Sequence, residues 1–186
     1  MRVSFHRVAL CLLLPCNAFA QAPAEAPMPK LTADECAVWA RELSFAQSVA
    51  DHDAAAFAAH LQQGTAFGAS RAEPTRGRDN VARRWAGIIE GKELRLAWYP
   101  SRVTIGGPGD VAWSSGPTLY EDLRDEAGAT GKAENRYAIG TYQSVWHKDA
   151  DGVWRVLFDD GVEPKPAGEA EVAAFRAGRR ATCPPG

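Results

Sequence analysis

A chain of 186 residues is the size of one ordinary domain with a single core, and its formal charge of −2 leaves no basic stripe for nucleic acid or anionic lipid. No repeat, low-complexity run or interdomain linker divides it, and no stretch is long and apolar enough for a membrane-spanning helix. Neither a nucleic acid nor a membrane anchor is expected as a partner.

The first twenty residues have the layout of a secretory signal. Arg2 and Arg7 form the positive start, Val8 to Leu14 the apolar run, and Ala18-Phe19-Ala20 a small-x-small cleavage site. Cleavage after Ala20 predicts an exported protein, periplasmic or secreted. Cys11 and Cys16 leave with that segment, so Cys36 and Cys183 remain, one near each end. In an oxidising compartment two cysteines suggest one disulfide, the alternative being two free thiols.

Residues 21–31 read as a flexible Pro- and Ala-rich leader. Thr32 and Glu35 fit a capping box for a helix running to about Asp51, with Cys36, Trp39, Ala40 and Leu43 as its apolar stripe. Asp53 caps a short helix over Ala54 to Leu61. A strand over Gly64 to Ser70 and a polar loop precede a third helix capped by Asp79 or Asn80, carrying Val81, Trp85 and Ile88 and ending at Gly91.

The pattern then alternates. Leu94, Leu96 and Trp98 begin a strand that continues past Pro100 to Ile105, and Val111 to Tyr120 forms the next, interrupted near Gly116-Pro117. Glu121 to Lys132 is a charged loop. Asn135 to Gly161 reads as a long hairpin turning at Asp151-Gly152, which Pro164 and Pro166 stop. Residues 163–186 are a tail, with a short helix over Gly168 to Arg179. Three helices followed by a strand meander predict an α+β fold: a cone-shaped, curved antiparallel sheet wrapped around three N-terminal helices over residues 32–162, with a cavity inside.

Several residues carry the resemblance to a known family: Asp51-His52-Asp53 before a helix, Gly77, Gly109-Asp110, G-x-Y-x-x-V-W at Gly140 to Trp146, D-G-x-W at Asp151 to Trp154, and Asp159-Asp160-Gly161. Together they resemble the cystatin-like, nuclear-transport-factor-2-like superfamily, and within it the SnoaL-like, domain-of-unknown-function 4440 branch. That fold is shared with ketosteroid isomerases and hosts enzymes and binding modules alike. The resemblance implies a homodimer through the convex sheet. Alignment on Asp53 and Gly77 places Phe45 where the isomerases have a tyrosine, Gly68 or Ala69 at the base, and Ser144 near the acid, so it does not carry their chemistry over.

His60 is a candidate general base, although a lone histidine on a short helix is more often a hydrogen-bonded rim residue. Asp159 and Asp160 are candidate proton carriers at the cone mouth, or simply strand-end caps. Trp98, Trp113, Glu134, Arg136 and Tyr142 are candidate ligand-binding residues, with Arg136 suited to an anion and the aromatics to an apolar molecule. Trp39, Trp85 and Trp146 read as core, and His52 and His147 as solvent-facing. No histidine or cysteine spacing suits a metal, and nucleotide, dinucleotide and serine-hydrolase motifs are lacking, so no metal or cofactor is expected. Two functions remain: binding of a small, partly apolar molecule in the cone, or acid–base catalysis by Asp159 or Asp160 with His60.

Overall fold

The computed structural model describes residues 30–124 and 136–184. The signal-like segment, most of the leader, much of the charged loop and Glu134 lie outside the described residues.

Helix α1 (Ala33–Ala50) starts at the expected capping box, with Thr32 Oγ1 accepting the Glu35 amide and the Glu35 carboxylate accepting the Thr32 amide. Its buried face differs from the expected stripe. Val38, Trp39, Glu42, Phe45, Ala46 and Val49 point inward, whereas Ala40 is exposed. Val38, Phe45 and Val49 bring more apolar area to the core than Cys36 and Ala40 would, and burial decides which face turns in.

Asp53 caps α2 (Ala54–Ala59) through a 2.8 Å bond from the Ala56 amide. Strand β1 (Leu61–Phe67) follows at once, earlier than expected. After the two-residue β2 (Thr75–Arg76), α3 (Arg78–Glu90) begins at Gly77, whose φ of 85° lets the chain turn into the helix before Asp79 or Asn80.

Pro100 separates two strands rather than bending one. β3 (Leu94–Trp98) and β4 (Arg102–Gly106) both pair antiparallel with β5 (Val111–Asp122), the first along Thr118–Asp122 and the second along Val111–Ser115. β5 runs unbroken because Pro117 lies opposite the gap between them, where no ladder bond is demanded of it. The predicted hairpin is β6 (Tyr137–Lys148) and β7 (Trp154–Ala167). β7 does not stop at Pro164 and Pro166. Beyond Asp159 it has lost β1 as a neighbour and is an edge, where prolines are tolerated.

The strand order is β2-β1-β7-β6-β5-β3. The sheet is mixed rather than wholly antiparallel, because the meander through β5, β6 and β7 brings β7 back alongside β1 in the same direction. It curls around α1, α2 and α3. Trp39 and Trp146 are fully enclosed with Phe45, Phe57, Leu61 and Val156, while Trp85 is half-buried.

Helix α4 (Glu169–Gly178) sits on the other side. Thr118 and Tyr120 face the cone interior, so Leu119 between them faces out, and there it packs with Tyr99, Val172 and Phe175. A disulfide joins Cys36 to Cys183, with 5.4 Å between their Cα atoms. It links positions 147 apart, and in the chain-entropy picture that restricts the unfolded chain by roughly 4–5 kcal/mol.

Candidate functional site

The strand register stacks the inner face of the cone in rows. Ser114, Ser144 and Asp159 are directly opposite one another on β5, β6 and β7, and the next row is Gly116, Tyr142 and Gly161. Gly116 is required there: a Cβ would fall 2.0 Å from the Tyr99 carbonyl and 3.1 Å from the Tyr142 ring. These rows open on a cavity of about 290 Å3. Phe45, Phe67, Trp85, Ile88, Leu96 and Trp98 form its apolar wall, Tyr142 and Asp159 are set into it, and Arg71, Glu73, Arg84, Asp160 and Glu163 surround the mouth.

Asp159 and Asp160 are neighbours with opposite surroundings. Asp159 is only half-buried by area because one side of it opens on the cavity. The walls still strip water from its carboxyl. This desolvation, reinforced by the charges of Glu42 and Asp160, raises its pKa well above the usual range despite a 2.8 Å hydrogen bond from Ser144 Oγ. At Asp160 burial also pulls upward but is outweighed: the amides of Ser70 and Gly161 donate to its two oxygens, Arg71 stands nearby, and its pKa falls. Asp159 therefore keeps its proton at pH values where Asp160 has lost its own.

Below this pair lies a group that sequence reasoning missed. Glu42 is fully buried. Its carboxyl receives Trp98 Nε1 at 2.7 Å, Ser114 Oγ at 2.6 Å and Trp146 Nε1 at 3.0 Å. Desolvation outweighs these three donors and lifts its pKa to about 7. The available signal was a carboxylate within the apolar repeat Val38, Phe45, Val49. Tyr142 sits between the acids; its hydroxyl is buried, with Ser114 beside it but outside good hydrogen-bond geometry, and burial first, then the charge of Glu42, pushes its pKa up.

The other candidates fall elsewhere. His60 is not part of the cavity wall. Its Nε2 meets Ser44 Oγ and its Nδ1 the Ala56 carbonyl, both at 2.7 Å, and burial together with Arg41 pulls its pKa down to about 4. It is a capping and packing residue, and the structure does not pair it with either aspartate. Trp113 lies on the convex face, 37% exposed, because its register partner Val145 faces outward. Arg136 is engaged with Glu121 at 2.7 Å, away from the cavity. Trp98 and Tyr142 do line it. His52 is anchored to the Ile89 carbonyl and His147 to Asp149, at 2.7 and 2.8 Å. Among the described residues no group of three or more His, Cys, Asp or Glu side chains is placed to hold a metal, and no helix is long and apolar enough to cross a membrane.

No protein-family model matches the sequence, and no curated protein does. Solved structures do match the fold. A nuclear-transport-factor-2-like protein of unknown function from Pseudomonas putida aligns over 76% of this chain and 98% of its own, at 16% identity and a TM-score of 0.56. A nuclear-transport-factor-2-like superfamily protein from Salmonella enterica aligns over 74% and 96%, at 17% identity and 0.55. A ketosteroid isomerase-like protein from Erwinia carotovora aligns over 72% and 100%, at 16% identity and 0.54. At these identities the likeness establishes the nuclear-transport-factor-2-like cone fold.

Proposed function

We propose that this is an exported cone domain that binds a small, largely apolar molecule carrying one hydrogen-bond acceptor such as a ketone oxygen. The observation that supports it most is Asp159: a carboxyl hydrogen-bonded by Ser144, its pKa driven well above the usual range by burial, in a cavity otherwise walled by aromatic and aliphatic side chains. A protonated carboxyl donates one hydrogen bond, and in a dry wall that bond discriminates strongly for an acceptor.

β-Tetralone and its parent hydrocarbon tetralin test this reading by calorimetry. The ketone is expected to bind about tenfold tighter, the worth of one buried hydrogen bond. Its advantage should decline as pH rises and Asp159 ionises, persist without pH dependence in Asp159→Asn, and vanish in Asp159→Leu. Equal affinities of the wild type for ketone and hydrocarbon would overturn the reading.

Acid–base catalysis in the same cavity is the second reading, favoured by two adjacent carboxylates whose pKa values are driven apart, which equips Asp159 as the acid and Asp160 as the base. One similar solved structure is described as ketosteroid isomerase-like. Asp159→Asn would then stop turnover while binding remained. Export is supported by the signal-like N-terminus and the Cys36–Cys183 bond. A homodimer through the convex sheet is supported by the cross-strand row Trp113, Val145 and Phe158, whose outer members are 37% and 41% exposed.

A further inference from the structure

A second hollow, of about 360 Å3, lies outside the cone, between the C-terminal half of α1, the edge strand β3 and α4. Trp98 is the one residue that lines both spaces among the described residues. The room comes from small side chains: Ala46 and Ala50 on α1 and Ala97 on β3. Leu119, Tyr99 and Phe175 supply apolar walls, the two rings 4.9 Å apart. The arrangement is held firmly. Val172 and Phe175 are buried beneath α4, and Gly178 is where the Tyr99 ring meets the last helical turn, since a Cβ there would stand 2.4 Å from the Tyr99 hydroxyl. The Cys36–Cys183 bond then ties the chain beyond α4 back to α1.

The charges of this cleft are one-sided. Arg95, Arg176 and Arg179 line it, with Glu121 as their acidic counterpart. Glu121 is already shared by Arg95 and Arg136, at 2.7 Å from each. Among the described residues neither Arg176 nor Arg179 has a carboxylate within ion-pair distance, and Arg179 donates to Gln47 Oε1 at 3.4 Å. Arg176 stands in the last turn of α4 and Arg179 is its C-cap, and both line the cleft. Guanidinium groups so placed suit a carboxylate, which accepts paired N–H bonds.

We propose that this cleft is a second binding site, for a small molecule with a slender apolar body ending in a single carboxylate. The body lies along Ala50, Ala97 and Phe175, and the head group meets Arg176 and Arg179. It is distinct from the ligand proposed for the cone, because Ala50, Ala97, Phe175 and the arginines line this cleft and not the cone, the two spaces sharing Trp98 alone among the described residues.

Calorimetry of the whole exported chain with decanoate, and with decanol as the uncharged comparator, tests it. Decanoate is expected to saturate one site and to bind about tenfold or more tighter than decanol, the value of charge-assisted hydrogen bonds. The double variant Arg176→Ala/Arg179→Ala should erase that difference without lowering Tm, since both side chains are exposed. Ala50→Trp, which keeps the arginines and fills the space, should abolish decanoate binding; Asp159→Leu, in the cone, should leave it unchanged. No saturable decanoate binding, or binding that survives both cleft variants, overturns the proposal, as does its loss in Asp159→Leu.

Discussion

Asp159 and Asp160 share a peptide bond, yet their carboxyls respond to the fold with opposite sign: one is desolvated against the cavity wall and the other is held by two backbone amides. A carboxyl with a raised pKa costs the folded state stability as pH climbs from its ordinary value through its folded one. A carboxyl with a lowered pKa contributes stability above the ordinary value and loses it as pH falls through the folded one. Asp159→Asn should therefore raise stability at neutral pH and leave it nearly unchanged in acid. Asp160→Ala should lower neutral stability by about 1–2 kcal/mol through two lost amide bonds, with the deficit shrinking in acid. Urea melts at pH 3 to 8 read both signs, and two variants with the same sign would contradict the assignment.

Glu42 gives a defined window. Its pKa rises from 4.5 to about 7, so the folded state holds a proton that the unfolded chain releases earlier. Stability attributable to Glu42 should be full below about 4.5 and decline up to about 7, by on the order of 3 kcal/mol. Glu42→Gln removes that slope. It starts from a lower value in acid, because one amide hydrogen faces the Trp146 N–H instead of a lone pair. An unchanged slope in the variant would show that Glu42 does not titrate in this range.

Tyr142→Phe deletes a buried hydroxyl whose polar neighbour, Ser114, stands outside good hydrogen-bond geometry. Such a group costs its desolvation and returns nothing, so the variant is expected to match or exceed wild-type stability by up to about 2 kcal/mol. A thermal melt that fell by several degrees would reveal a hydrogen bond at this site.

Replacing Cys36 and Cys183 by alanine should lower stability by at most about 4–5 kcal/mol. The loss should be local in its effect on binding: decanoate binding in the outer cleft weakens as α4 loosens, while the β-tetralone preference in the cone remains. Equal loss at both sites would mean that the bond supports the whole cone.

Phe158→Lys puts a charge into the convex row that includes Trp113. If that face pairs two copies, light scattering should show the dimer mass for the wild type and the monomer mass for the variant. A wild-type monomer at micromolar concentration would dismiss the dimer.

Local patterns in the sequence predicted most of the elements and the fold, for reasons visible at individual residues. Thr32 and Asp53 act through their side chains on amides three residues ahead, Gly77 through its own positive φ, and β6 and β7 alternate strongly about a short turn. The site was less legible. Asp159 and Asp160 were singled out, but what separates them, the cavity wall on one side and the Ser70 amide on the other, comes from segments far apart in the chain. Glu42 looked like an ordinary helical acid until Trp98, Ser114 and Trp146 converged on it. His60 was drawn away by Ser44, which no spacing rule pairs with it.

The parallel seam between β1 and β7 joins the two ends of the sheet's sequence. Leu61 lies beside Val156 and Phe67 beside Asp159, so the edge of β1, the first strand, is covered only by β7, the last. Contacts of such sequence separation form slowly. A chain that has not yet delivered β7 therefore presents the open edge of β1 to whatever surrounds it.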